Sequence, residues 1–194
     1  MSTHIETKHE SLADYKIREN RNRLALWLFV ISELFLFGGI MVARVVLWDD
    51  TRPHLEQGPA FVLTAALLLS SFFMNRAELG MKFGDQKTFE RGILATIALG
   101  TLFLVGVLAV EWPLSGLRAS EDVYGAVFFL MTGMHAFHVL TGVIFLGLVY
   151  RNGKKGLYSP EKHWAVEAAA IYWHFVDVVW IFFYPALYLI GKVV

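Results

Sequence analysis

Apolar residues in this chain arrive in blocks rather than in stripes. Five blocks stand out, at about residues 24–48, 59–74, 92–112, 123–150 and 166–190, with short polar segments between them. Crossing a hydrocarbon core takes about 20 predominantly apolar residues in an α-helix, and four of the blocks reach that length; the second is the shortest. Strands are excluded as the spanning element, because lipid cannot satisfy their backbone groups unless the sheet closes into a barrel. A barrel would instead show alternating segments of about ten residues. The pattern therefore predicts an all-α integral membrane protein, a bundle of five transmembrane helices. It divides into residues 1–23, a cytoplasmic N-terminal tail, and residues 24–194, the transmembrane domain.

Composition narrows the chemistry. At 56% hydrophobic and 18% charged residues the chain is too apolar for an ordinary soluble domain. Its formal net charge of zero offers no field to draw in nucleic acid. There is no cysteine, so disulfides and thiolate metal sites are excluded, and any metal would rest on histidine and carboxylate alone. The first 23 residues hold no apolar core for a signal peptide.

Charge also sets a direction. Thirteen basic residues fall in the N-terminal tail, the second-to-third loop and the fourth-to-fifth loop, against Arg52, Arg118 and Lys192 on the other side. The positive-inside rule then places the N-terminus in the cytoplasm and the C-terminus outside. Trp48, Trp112 and Tyr124 at outer ends, and Tyr150 and Trp164 at inner ends, are expected at the membrane interface. Pro59 opens the second helix and Pro113 follows the third. Pro185 lies inside the fifth and is expected to kink it. Gly80 and Gly84 form the one G-x-x-x-G, which reads as part of a polar loop rather than a helix-packing motif.

Five ionisable residues fall near one depth. At about 1.5 Å per residue, Glu33 lies about 14 Å into the first span, His174 and Asp177 about 12 and 16 Å into the fifth, and His135 about 18 Å from the outer end of the fourth, with His138 one turn deeper. His135 with His138, and His174 with Asp177, are spaced i, i+3 on their helices. Charged and unpaired, each would cost about 2.5 kcal/mol or more at that depth, so they are expected to face inward and find one another. Three histidines and two carboxylates can hold a metal in a bundle core. The alternative is a neutral hydrogen-bonded network that locks the fifth helix to the fourth, with His135 and His138 as partners of His174 and Asp177. No span carries Glu-x-x-His; the fifth has the reverse order, His-x-x-Asp, which favours the network. Two histidines on one helix are also a poor basis for bis-histidine haem ligation.

The remaining polar residues read more plainly. Glu111, beside Trp112, is expected at the outer interface and solvated, with a substrate role the less favoured alternative. Arg44 shares Glu33's face and can snorkel outward. His4, His9, His54 and His163 sit in tails or loops with no chemistry assigned, and the basic loops read as topology signals and lipid-headgroup contacts.

The fifth block then becomes recognisable. "YWHFVDVVW" (residues 172–180) resembles the signature of subunit III of the haem–copper respiratory oxidases, the cytochrome c oxidase and quinol oxidase family. "GMHAFHVLTGVIFLG" in the fourth block, "SELFLFGG" in the first and Glu111-Trp112 ending the third resemble that family's segments in the same order. The chain is similar to the short bacterial five-helix form, lacking the first two of the long form's seven helices, so the lipid-holding cleft of long members is incomplete or completed by a neighbour. The resemblance implies a non-catalytic subunit of a cytochrome c oxidase in a bacterial plasma membrane. It implies no haem or copper in this chain and both in partner subunits, with bound phospholipid, packing against subunit I and other oxidase subunits, and support of proton uptake. Glu33 matches the family's first-helix acid and is the candidate for proton handling, with packing alone as the alternative. His135, His138, His174 and Asp177 match its polar network. A quinol oxidase subunit III, the subunit-III-like protein associated with nitric oxide reductases, and a stand-alone metal-dependent membrane enzyme remain as alternatives.

Overall fold

In the computed structural model residues 12–194 are described. Five helices long and apolar enough to span a membrane account for most of them: α1 (Leu12–Trp48), α2 (Gln57–Lys82), α3 (Gln86–Leu114), α4 (Val123–Lys154) and α5 (Trp164–Tyr188). The predicted membrane bundle is thus present, but the helices outrun the apolar blocks. α1 begins at Leu12, a full three turns before the first block, because residues 12–23 hold no proline or glycine and continue the helix in polar dress. Hydropathy marks the edge of the lipid, not the end of the hydrogen-bonded helix. His4, Lys8 and His9 lie outside the described residues.

Local chemistry sets the other ends. Asp85 caps α3 by accepting from the Thr88 amide at 3.1 Å and from its hydroxyl at 2.6 Å. The Thr88 bonds hold its carboxyl below the usual carboxylate range. Asp122 caps α4 in the same way through the Gly125 amide. Gly84, at φ +76°, makes the left-handed turn that lets α2 double back into α3. Gly80 belongs to the last turn of α2 rather than to a loop, which corrects the expectation for the G-x-x-x-G. A Cβ there would lie 2.6 Å from the Phe89 amide nitrogen, so the two helices meet at backbone distance. Gly92, where a Cβ would lie 2.7 Å from the Phe73 carbonyl oxygen, repeats this one crossing deeper.

α5 is the core of the bundle. Some 67% of its apolar window is buried, against 11% for α1, which packs only along α4 and α5. Around α5 the order is α2, then α3 behind, then α4, then α1; α1 and α2 share no extensive packing. Trp173 and Trp180 are fully buried and fill the interior against α2, α3 and α4.

The end of the bundle where α1 and α5 both finish holds a clasp that the sequence did not suggest. Arg44 does not snorkel outward; it is 2% exposed and turns into the protein. Its guanidinium donates to the Ala186 carbonyl at 2.7 Å, to Ile190 at 2.6 Å and to Asp49 at 3.3 Å, and it lies 5.1 Å over the Trp48 ring. The last carbonyls of a helix lack intrahelical partners, and here a cation supplies them. Pro185 sits in the last turn of α5, where the Leu189 and Ile190 amides both close onto its carbonyl at 2.9 Å. Thr51–Arg52 then pairs in parallel with Lys192–Val193 across the same corner. Trp48, expected at the interface, is 1% exposed and donates to the Val123 carbonyl at 3.4 Å.

Arg44→Met keeps the aliphatic stem but strands the α5 carbonyls. It is expected to lower stability in detergent by about 2–3 kcal/mol, the range for a lost charged hydrogen bond, whereas Arg151→Met on an exposed turn changes it by under about 0.5 kcal/mol. Denaturant-induced loss of helical circular dichroism measures both.

Candidate functional site

The midplane residues do not converge on one point; α4 and α5 turn them to different sides. In α4, His138 faces α1. Its Nδ1 lies 2.7 Å from the Met134 carbonyl, an acceptor only, so Nδ1 carries a hydrogen. Its Nε2 lies 3.0 Å from Oε2 of Glu33. One proton therefore sits between ring and carboxyl, on whichever atom holds it. The pair opens onto a cleft of about 380 Å³ lined also by Phe29, Phe137, Thr141, Phe145 and Tyr172. Tyr172 bonds Thr141 at 2.7 Å and the His138 carbonyl at 3.1 Å, and Phe37 stands edge-on to the imidazole at 4.7 Å.

His135, one turn away on α4, faces the other way. It is fully buried, and neither ring nitrogen has a hydrogen-bond partner. Trp180 covers it at 4.7 Å and Phe103 meets it edge-on at 5.4 Å. Such a ring is a neutral, aromatic-like core residue. It does not partner His174 or Asp177, contrary to expectation. Residues three apart are offset by about 60° on a helix, and α4 lies between α1 on one side and α3 with α5 on the other, so the offset suffices to separate them.

His174 and Asp177 instead meet α2. Ser71 bonds Oδ2 of Asp177 and lies 2.9 Å from Nδ1 of His174. The hydroxyl has one proton: given to Asp177 it leaves Nε2 of His174 an acceptor, and given to His174 it leaves Nε2 a donor with the acid proton on Asp177. Here the hydroxyl sits between acid and imidazole, whereas a nucleophilic triad needs the imidazole in the middle. His174 and Asp177 thus lock the fifth helix to the second; its bonds to the fourth come from Tyr172 instead. Among the described residues no three metal-binding side chains gather at one place.

Glu111 also departs from expectation. Residues Val107–Glu111 form a π-helical turn, whose wider, under-wound geometry shifts the faces at the end of α3, and Glu111 is 5% exposed there. Its oxygens close no hydrogen bond of good geometry, although the Tyr188 hydroxyl is near enough to act on them. Trp112 donates to Thr132 at 3.1 Å. His163 is buried as well, 3.2 Å from Glu167 and from the Ser159 carbonyl, and secures the α4–α5 loop.

The residues missed from sequence are hydroxyls. Ser70 accepts from the Trp173 indole at 2.8 Å, Thr64 from Trp180 at 2.9 Å, and Ser71 bridges the acid and histidine. Their signal was present as one polar position per turn or two in the second block, spaced to face the fifth.

A family model described as cytochrome c oxidase subunit III matches residues 9–192. The chain is similar to cytochrome c oxidase subunit 3 of Thermostichus vulcanus, 33% identical over 176 residues that cover 87% of each chain. It is 31% identical to the protein of that name from Synechocystis over 171 residues, 84% of this chain and 73% of the other. With the Equus caballus protein it shares 34% over 183 residues, 88% of this chain and 70% of the other.

The two polar clusters should behave as independent units. A Ser71→Ala/Asp177→Ala double-mutant cycle is expected to give a coupling of about 1 kcal/mol, as for strong hydrogen bonds between membrane helices. Ser71→Ala and Glu33→Gln, on different faces, are expected to add within about 0.5 kcal/mol. Unfolding free energies of the single and double variants in one detergent decide both.

Proposed function

The chain belongs to the cytochrome c oxidase subunit III family, a multi-pass membrane subunit of a haem–copper oxidase without a catalytic role of its own, and from that membership we propose how it serves the complex. It packs against the haem- and copper-bearing subunit I as its main partner and sustains proton uptake there through Glu33. The observation that carries this reading is the Glu33–His138 pair, an acid at mid-depth sharing one proton with an imidazole at the mouth of a cleft. A side chain that only filled space would be expected to be apolar at that depth, since each charged group costs about 2.5 kcal/mol or more there.

The cleft takes phospholipid acyl chains. Its Phe29, Phe137 and Phe145 walls suit hydrocarbon, and its volume fits part of a chain rather than a polar metabolite. Redox centres belong to the partner subunits. What supports this is the geometry: the midplane histidines and acids are divided among separate elements, His138 bonding Met134 and Glu33, His174 and Asp177 meeting Ser71, and His135 enclosed by aromatic rings. The N-terminus is cytoplasmic and the membrane is the bacterial plasma membrane, on the strength of the basic asymmetry of the loops.

Co-purification with a haem- and copper-bearing subunit tests membership of the complex; a stoichiometric metal in the isolated chain would instead revive a stand-alone enzyme. Glu33→Gln keeps shape and hydrogen bonding while removing the acid. The variant oxidase is expected to assemble normally, begin at near-normal turnover and lose activity after severalfold fewer turnovers than the parent. Unchanged turnover and lifetime would make Glu33 structural. Orientation is checked with a single introduced cysteine at Ser120, in a chain that has none of its own. Labelling by an impermeant reagent on intact cells is expected; labelling only after lysis would reverse the topology.

A further inference from the structure

We propose that the open side of α5, between α1 and α2, is the seat for a transmembrane helix of another oxidase subunit that brings a hydroxyl or amide side chain to His174 at mid-depth. The inference rests on the reading that this chain is an oxidase subunit, and adds the surface and the chemistry by which it docks.

The surface follows from the packing order. α2, α4 and α1 cover α5 on three sides, and the gap between α1 and α2 leaves Ile171, His174, Val178, Ile181 and Pro185 uncovered or half covered. Their spacing of three, four, three and four is the stripe of a helix that expects a partner at a shallow crossing angle. One rim is apolar. Val178 and Phe182 of α5 with Leu34, Gly38 and Met41 of α1 line a groove of about 190 Å³. A Cβ added at Gly38 would touch nothing within 4 Å, so the groove floor is free for a foreign side chain.

The other rim carries the chemistry. Nε2 of His174 has no partner among the described residues, and an imidazole nitrogen has either a hydrogen to donate or a lone pair with which to accept. Oδ1 of Asp177 beside it is buried and also unpartnered. Acyl chains could fill the apolar rim, but they offer no hydrogen bond, and a polar nitrogen left open to hydrocarbon is costly. A helix with Ser, Thr, Asn, Gln or Tyr at that depth satisfies it, since each of these side chains both donates and accepts. On the outward face of α3, Leu102 and Val105 are exposed apolar residues.

The test uses the whole complex in native membranes. A photocrosslinker is placed at Ile181 (Ile181→p-benzoylphenylalanine) or, as the control face, at Leu102; these residues are 47% and 51% exposed. The Ile181 adduct is expected to be a second oxidase subunit, mapped to an apolar span with a hydroxyl or amide side chain near mid-depth, and Leu102 is expected to capture none. In parallel, Ile181→Trp is expected to reduce co-purification of the partner by about tenfold through steric blocking, while Leu102→Trp leaves it unchanged. In a complex that still co-purifies with its haem-bearing subunit, an adduct from Leu102 alone, an Ile181 adduct to lipid or to a second copy of this chain, or a span with no such side chain at the Ile181 adduct would overturn the groove while leaving the oxidase reading intact. Failure to co-purify with any haem-bearing subunit would overturn both.

Discussion

Hydrocarbon offers no hydrogen bonds, so any polar group at membrane depth must find its partner within protein, and most of this bundle can be read as answers to that demand. Backbone groups answer it by forming helices throughout. Indoles answer it by pairing with hydroxyls on neighbouring helices, Trp173 with Ser70 and Trp180 with Thr64. Arg44 answers it for the end of α5, where a proline-bearing last turn leaves carbonyls that no amide reaches. In each case the same contact that satisfies a donor also fixes the register of two helices.

Function appears where that demand is met incompletely. Glu33 and His138 satisfy each other with a single proton between them, and they do so at the wall of a cleft rather than in the packed core. His174 and Asp177 satisfy half of their capacity through Ser71 and leave one ring nitrogen and one carboxyl oxygen without a partner among the described residues. The first arrangement suits a proton that can be exchanged, the second a surface completed by a neighbour. His135 is the contrast: fully enclosed by Trp180 and Phe103, it behaves as a packed ring.

α5 ties these sites together. It is the most buried helix, touching α1, α2 and α4, and it brings His174 and Asp177 to the α2 side while Phe175 and Phe183 back Phe37, which in turn stands against His138. α1 is held to this core by a narrower strip and by the clasp at its C-terminal end, where Arg44 and the Thr51–Arg52 pairing bind the close of the chain. A flank anchored at one end and lined by a cleft in its middle leaves room for lipid and partner alike.

The sequence by itself determined the membrane class, the number of helices, their order and the family, because hydropathy blocks and the motifs around Glu33, His135 and Tyr172–Trp180 are local properties of the chain. It also singled out residues at a common depth, since rise per residue is fixed by helix geometry. Tertiary structure alone decided which of them meet. Depth says nothing of azimuth, and a rotation of about 60° between His135 and His138 sends one to aromatic packing and the other to Glu33. Likewise Glu111 is buried on a π-helical turn, and the approach of α2 puts Ser71, an unremarked hydroxyl, between His174 and Asp177. Those outcomes depend on how whole helices pack around one another, a relation spread over residues up to 106 positions apart, which no local pattern encodes.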